Sequence, residues 1–518
     1  MRLFTILFLS VVLCLSLVAG NSNGLPDDLE AYIEAGMKDW EIPGLAIAVV
    51  KDDEIAFARG FGIRKLGGND AVDEHTLFGI ASLTKAFTTA ALGILVDEGK
   101  LQWDDPVTKH IPEFQLYDPW TTREITVRDL LIHRSGLGRM IGNRLQFMTG
   151  QDAPELTYRL RYLEPQASFR ARYVYNNMLY MVAGQVIEAV SGQAWNEFVR
   201  DRLFKPLGMD RSNLSIHDID ENENAAWPHQ YIKGEIQTIP RRDFDNVGPA
   251  ASINASVYEM TQWMRLHLGE PGKLGDTQLI GESTIREIHR PQSAIPVTDP
   301  FNEIAAYCLG WGVRLYNDRL ISRHAGASDG MNSFIVLVHE ENLGVVVVTN
   351  VFNDFMYALA NHVIDSYLDV PYTDWHEKYL TQYEKEYETV KERREKLHDA
   401  RIENTRPSLS AGAYAGEYYD QLYGTVSVMV EGDTIAIQFW EDDSLVADLE
   451  HWHYDTYRAL WHNPAQREKF VWFEVDKTGK VAALNVEFNL RPALLQVGAY
   501  PSDYTRIVRF EKKAIDNN

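Results

Sequence analysis

The chain begins its folded text with two short apolar runs. Residues 44–50 (Gly-Leu-Ala-Ile-Ala-Val-Val) and residues 55–62 are separated by the polar stretch Lys51-Asp52-Asp53-Glu54, a spacing that predicts a two-stranded hairpin. Residues 29–39, just before it, space their apolar side chains at helical intervals and predict an amphipathic helix. From there to about Thr298 the pattern is mainly helical, as in residues 177–190 and 195–203. Strand patterns return at residues 332–338 and 344–349, flanking a turn at residues 339–343, and residues 355–368 predict a further helix. Strands early and late with helices between predict one antiparallel sheet built from both ends of a domain, with a helical lobe inserted in the middle. A site is expected where lobe and sheet meet.

The pattern changes near Trp375. Residues 376–406 are dense in Glu, Lys and Arg without marked apolar periodicity, and read as a solvated helix or linker. From Leu409 the text is all-β: residues 423–430 and 434–440 alternate around the turn Glu431-Gly432-Asp433, and residues 470–475 and 481–488 flank a turn at 476–479, so a small sheet or barrel is expected. The expected organisation is therefore an export signal over residues 1–20, an α/β (α+β) domain over 25–372, a charged helix or linker over 373–408, and a small all-β domain over 409–514.

Length and composition narrow the function. A chain of 518 residues exceeds one ordinary core, and its net charge of −24 disfavours binding to nucleic acid or anionic lipid. Arg2, the apolar residues 3–18, the small pair Ala19-Gly20 and polar Asn21-Ser22 form a secretory pattern, with cleavage expected near Gly20 and an uncleaved anchor as the alternative. A secreted or periplasmic protein without a stable membrane anchor is the expectation. Cys14 and Cys308 are the only cysteines, so the mature chain cannot form an internal disulfide, and Cys308 in its apolar setting is expected to be buried and inert.

Ser82 in Ala81-Ser82-Leu83-Thr84-Lys85 opens a strongly apolar stretch that runs to Val96 and stops at Glu98-Gly99-Lys100. On a helix, positions i and i+3 share a face, so Lys85 would hang beside the Ser82 hydroxyl at a helix N-terminus that offers free N–H groups. A hydroxyl nucleophile also needs a base and an oxyanion cradle. Tyr175 and Asn177, in Tyr173-Val174-Tyr175-Asn176-Asn177, are candidates: either Lys85 or Tyr175 can take the Ser82 proton when the two are brought together, and the Asn177 amide can position substrate or the lysine. A helix start capped by Asn is the plain alternative. In His324-Ala325-Gly326-Ala327, a strand edge can present the Ala327 N–H beside that of Ser82, Gly326 leaves room for substrate backbone, and His324 can donate to a substrate carboxylate or assist proton transfer. A structural histidine is the plain alternative there.

Taken in order, Ser-x-x-Lys, Tyr-x-Asn and His-x-Gly resemble the three motifs of the serine β-lactamase and penicillin-binding-protein superfamily, in its class C β-lactamase, DD-peptidase and esterase branch. Longer phrases resemble it too: Asp73-Glu74-His75-Thr76-Leu77-Phe78-Gly79-Ile80, Leu101-Gln102-Trp103-Asp104-Asp105-Pro106-Val107, Ile125-Thr126-Val127-Arg128-Asp129-Leu130-Leu131-Ile132-His133-Arg134-Ser135-Gly136-Leu137 and Phe204-Lys205-Pro206-Leu207-Gly208-Met209. The resemblance covers roughly residues 25–370 and implies a transpeptidase-like domain, an antiparallel sheet flanked by helices. It implies that Ser82 forms an acyl-enzyme, Lys85 and Tyr175 act as general base and acid, Asn177 orients substrate, and the N–H groups of Ser82 and Ala327 form the oxyanion hole. Water would then cleave the ester with Tyr175 as base. No metal or other cofactor is implied. The C-terminal part, through Tyr414-Ala415-Gly416-Glu417-Tyr418 and Tyr423-Gly424, is similar to the β-rich appendage of such domains, and an oligomer through it is conceivable. His324 stands where β-lactamases carry Lys, which shifts the expectation from β-lactams toward a peptide, amide or ester substrate, since His is only partly charged near neutrality.

Three further motifs have ordinary explanations. Lys477-Thr478-Gly479 sits at an expected strand turn, and Gly326-Ala327-Ser328-Asp329-Gly330 is followed by strand-like rather than helical text, against a nucleophile elbow at Ser328. His451-Trp452-His453 reads as sheet surface before it reads as a metal pair. The expectation is an exported serine hydrolase acting on a small molecule or peptide with a hydrolysable acyl group. The rival is a non-catalytic relative that uses its cleft for binding.

Overall fold

The computed structural model describes residues 24–138, 151–220, 223–232, 234–297, 304–440, 442–463, 466, 469–489 and 505–513. The apolar run at residues 3–18 lies outside the described residues. Helix α1 (Leu29–Asp39) leads into strands β1 (Gly44–Lys51) and β2 (Glu54–Gly62). The turn between them places Asp52 and Asp53 at φ 51° and 67°, the pair of left-handed residues that matches the twist of a two-residue hairpin. After the helical region the chain returns as β3 (Ser293–Ala294), β4 (Ala305–Tyr307), β5 (Gly312–Tyr316), β6 (Arg319–Ser328), β7 (Met331–Val338) and β8 (Leu343–Thr349). All eight form one antiparallel sheet in the order β2-β1-β8-β7-β6-β5-β4-β3. The two chain ends of the domain therefore meet at the β1–β8 pairing, where Leu45 lies opposite Thr349 and Lys51 opposite Leu343.

Strands β1 and β8 read as near-continuous apolar runs, and β7 does so from Phe334 to Val338, because both sheet faces are covered. On β1, Leu45, Ile47 and Val49 face a core that includes Leu29 and Ile33 of α1 and the helix Phe355–Leu368, while Ala46, Ala48 and Val50 face the helical lobe. In the lobe, helix α2 (Thr84–Asp97) is buried along nearly its whole length, and α3 (Met178–Ser191) packs in the same core. α3 ends at Gly192, whose φ of 76° supplies the left-handed cap that a glycine adopts without strain. Burying one large apolar side chain contributes about 1.5–3 kcal/mol, so an enclosed α2 is a stiff support for whatever its first turn carries.

The charged stretch is a helix, Trp375–Asp399, with no fully buried residue. It does carry an apolar stripe at its start: Trp375, Tyr379 and Tyr383, at i, i+4 and i+8, pack with Leu380 on the core under the sheet. Beyond it, eight strands from Gly416–Asp420 to Thr505–Lys512 close into a barrel, the first pairing with the last through Tyr418 opposite Lys512 and Tyr419 opposite Glu511. Closure leaves no free sheet edge. The barrel is tied to the lobe by the Arg159 guanidinium, which donates to the carbonyls of Gln421 (3.2 Å) and Leu422 (3.4 Å). Among the described residues no helix is long and apolar enough to cross a membrane.

Candidate active site

The site forms where α2 starts under the tip of β6. Ser82 lies on a single 3₁₀ turn, Ala81–Leu83, that feeds α2. Ala81 before it has φ 47°, a left-handed conformation that a residue with a Cβ adopts only at a cost, and such strain collects at functional turns. Strand β6 passes directly over this turn. A Cβ on Gly326 would lie 2.2 Å from the Ile80 carbonyl, 2.2 Å from Ser333 Oγ and 3.1 Å from Ser82 N, so only glycine lets strand and turn approach this closely. Ser333 Oγ donates to the same Ile80 carbonyl at 2.7 Å and locks the contact.

Lys85, one helical turn on, is wholly buried. Its Nζ donates to Ser82 Oγ at 3.0 Å and to the Ala250 carbonyl at 2.9 Å, and lies 4.9 Å and 5.3 Å from the ring centroids of Tyr175 and Tyr180. The Tyr175 hydroxyl donates to Ser82 Oγ at 2.9 Å from 93 residues along the chain. Tyr175 is held from both sides by His133: the Val174 N–H donates to the His133 carbonyl (2.7 Å) and the Asn176 N–H to its Nδ1 (3.2 Å). The buried His133 ring also lies against Tyr175, with centroids 4.2 Å apart. The Ser82 oxygen thus sits between an amine and a phenol, and either contact carries a proton away from the serine when its partner is deprotonated.

Asn177 lies at the start of α3, two residues beyond Tyr175, and its carbonyl accepts from Tyr180 and Met181 N–H. The side chain that caps this helix belongs to its neighbour: Asn176 Oδ1 accepts from Met178 N–H at 2.9 Å. On β6 the ladder with β5 ends at Arg323 while the ladder with β7 runs to Ser328, so among the described residues the segment from His324 to Ser328 has no partner strand on the β5 side. Ala327 is exposed on that open edge. An edge beside the Ser82 N–H is the geometry in which backbone donors stabilise an oxyanion.

His324 differs from the sequence expectation of a donor to substrate. Its Nδ1 faces the Ala325 carbonyl at 2.8 Å and must carry the proton, so Nε2 accepts from the Tyr307 hydroxyl, also at 2.8 Å. Burial and the nearby Lys85 charge lower its pKa to about 3, so the ring is neutral and both nitrogens are used inside the protein. Two residues that surround the site were not assigned roles from sequence. His133 stood inside a quoted phrase, and Tyr307, between Ala306 and Cys308, carried no local signal. Its buried hydroxyl titrates far above the usual phenol range because burial disfavours the phenolate. Cys308 beside it is buried, and its Sγ donates to the His289 carbonyl at 3.2 Å.

The remaining motifs lie elsewhere or have local partners. Lys477-Thr478-Gly479 forms a barrel turn in which Thr478 N–H and Oγ1 both donate to Asp476 Oδ1 at 2.7 Å. Ser328 ends β6, and β7 follows it directly, so no helix stands behind it. His451 Nε2 donates to the Tyr454 carbonyl at 2.9 Å. His217, Asp243 and Asp245 are the one group of possible metal ligands among the described residues, and all three are exposed.

Comparison with known proteins bears on the family and the fold. Residues 29–368 match the family model for β-lactamase, and residues 400–497 match a domain family of unknown function, DUF3471. The chain is 27% identical over 494 residues to the unguisins hydrolase ungD' of Aspergillus campestris, covering 91% of this chain and 88% of that protein. It is 25% identical over 344 residues to protein flp of Staphylococcus aureus, covering 66% of each. In fold it is similar to the octameric penicillin-binding protein homologue from Pyrococcus abyssi, with a TM-score of 0.60 and 21% identity over 94% of this chain and 99% of that one.

Proposed function

The chain belongs to the β-lactamase family, and from that premise we propose that it hydrolyses a peptide, amide or ester through an acyl-enzyme on Ser82. A hydrolase at the level of the superfamily is supported by the family match and by the relatives named as hydrolases. The reading of mechanism rests on one observation: Lys85 Nζ and Tyr175 OH converge on Ser82 Oγ at 3.0 and 2.9 Å. In the forward step Ser82 Oγ attacks the acyl carbonyl and its proton passes to the Lys85–Tyr175 pair, which returns it to the leaving amine or alcohol. The carbonyl oxygen becomes an oxyanion facing the Ser82 N–H and the open edge at Ala327, with Asn177 flanking the substrate. Water then attacks the ester, with Tyr175 as base. A β-lactam is the less favoured substrate, because a buried neutral His324 supplies no fixed positive charge at the third motif.

Intact-mass measurement tests this directly. A fluorophosphonate or p-nitrophenyl acetate is expected to add one acyl or phosphonyl mass to the native protein and none to Ser82→Ala. A folded native protein that takes no adduct from either probe would instead support the binding-only alternative, and an adduct that persists in Ser82→Ala but disappears in Ser328→Ala would move the nucleophile. Export is part of the same proposal: the mass of the secreted chain should lack about the first 20 residues, the usual signal length.

A further inference from the structure

A pocket opens beside the nucleophile turn, with Ala81, Ser252 and Ser328 among its lining residues. Apolar residues among its walls are Leu77, Ile216, Phe244 and Met331, and its charged lining is two arginines, Arg241 and Arg242, and two aspartates, Asp245 and Asp329. The arginines differ. Arg242 is ion-paired, its Nε donating to Asp329 Oδ2 at 2.7 Å. Arg241, next to it, has no carboxylate partner among the described residues. Its guanidinium donates only to the neutral carbonyls of Ala225 and Ala226, at 3.2 to 3.4 Å. It stacks on the Trp227 ring at 4.3 Å, and Lys65, likewise without an ion pair among the described residues, lies 4.1 Å from the same ring. Carboxylates are not scarce in a chain with 74 acidic residues against 50 basic ones, so a half-buried arginine without one is not a matter of supply. Burial lowers the Arg241 pKa, the electrostatic condition that an incoming anion relieves.

We propose that this pocket is a substrate subsite that takes a carboxylate carried on an apolar stem, with Arg241 as the partner of the carboxylate. The inference rests on Ser82 as nucleophile, since the pocket has a substrate role only through that neighbour. The guanidinium fork matches a carboxylate, and the apolar walls match the stem. The pocket would then select acyl compounds bearing a free acid over their neutral counterparts.

Calorimetric titration of the full chain with hexanoate and with hexanamide separates charge from shape. Hexanoate should bind at least about tenfold more tightly, the discrimination expected of a charge-assisted hydrogen bond. Arg241→Gln should abolish that ratio, and Arg241→Lys, which keeps the cation, should keep part of it. The ratio is insensitive to a general weakening of the fold, so an arginine that merely braces the Ala225–Ala226 carbonyls would leave it unchanged. Equal affinities, no hexanoate binding, or an unchanged ratio in Arg241→Gln would each overturn the proposal. A second arm links pocket to nucleophile: saturating hexanoate should slow fluorophosphonate labelling of Ser82, and an unaltered labelling rate would also overturn it. Arg241-dependent hexanoate binding by a protein whose Ser82 takes no label would uphold the carboxylate site and refute the hydrolase reading instead.

Discussion

Gly326→Ala should uncouple the strand from the nucleophile turn. Gly326 has no left-handed φ, so backbone conformation does not oppose the substitution; space does. The new Cβ would sit 2.2 Å from both Ile80 O and Ser333 Oγ, 0.8 Å inside the 3.0 Å limit that real Cβ atoms respect. Those two oxygens are hydrogen-bonded to each other at 2.7 Å, so the methyl must break that bond or push β6 off the turn. Losing the bond costs about 1 kcal/mol. Overpacking adds about 1–3 kcal/mol. A loss of about 2–4 kcal/mol is therefore expected in urea denaturation. Moving the strand edge by roughly 1 Å relative to Ser82 should slow acylation by about a hundredfold, the usual cost of such a displacement. Gly412→Ala is the control: nothing lies within 4 Å of its added Cβ, and acylation should not change. Fluorophosphonate labelling kinetics on both variants decides the matter. A Gly326→Ala protein with native stability and native labelling rate would refute the argument that β6 and the turn are in obligatory contact.

Two other perturbations follow from the same geometry. Lys85→Met and Tyr175→Phe each remove one of the two groups on Ser82 Oγ and should lower the acylation rate by about 10²–10⁴, with non-additive loss in the double variant because the pair acts as a unit. Rates that multiply in the double variant would mean two independent roles. Away from the site, His267, His289 and His339 form a buried chain: His267 Nδ1 to His289 Nε2 at 2.9 Å, then His289 and His339 both to Ser322 Oγ at 2.8 and 2.9 Å. Burial lowers His267 to about 3 and His339 to about 4 from the ordinary 6.5. The unfolded chain therefore takes up protons first as the pH falls, and stability should drop between pH 6.5 and about 4. Each such histidine contributes a slope of about 1.4 kcal/mol per pH unit. His267→Phe should flatten the slope measured by urea titration across that window, and an unchanged slope would show that this histidine is not neutral in the fold.

Much of the architecture was legible because it is local. The hairpin turn at Asp52-Asp53, the apolar β1 and β8, and the helix Phe355–Leu368 follow from periodicities within ten or so residues, and the spacing of Ser82 and Lys85 on one helix face is a local fact too. The stripe of Trp375, Tyr379 and Tyr383 was hidden by the surrounding charge, though its i, i+4, i+8 spacing is in the sequence. Tertiary structure decided the rest. Nothing near Tyr175 announces that its hydroxyl reaches Ser82, since that distance depends on His133 holding the segment and on α2 and α3 packing in one core. The sequence around His324 suggests a donor to substrate, whereas the Ala325 carbonyl and the Tyr307 hydroxyl fix its tautomer and occupy both nitrogens. Barrel closure and the pairing of Arg242 but not Arg241 are likewise sums over distant contacts. Short-range sequence sets which elements form and which groups share a turn. Which charges are neutralised, and which oxygen faces which proton donor, is set only when the packed core brings distant segments within hydrogen-bonding range.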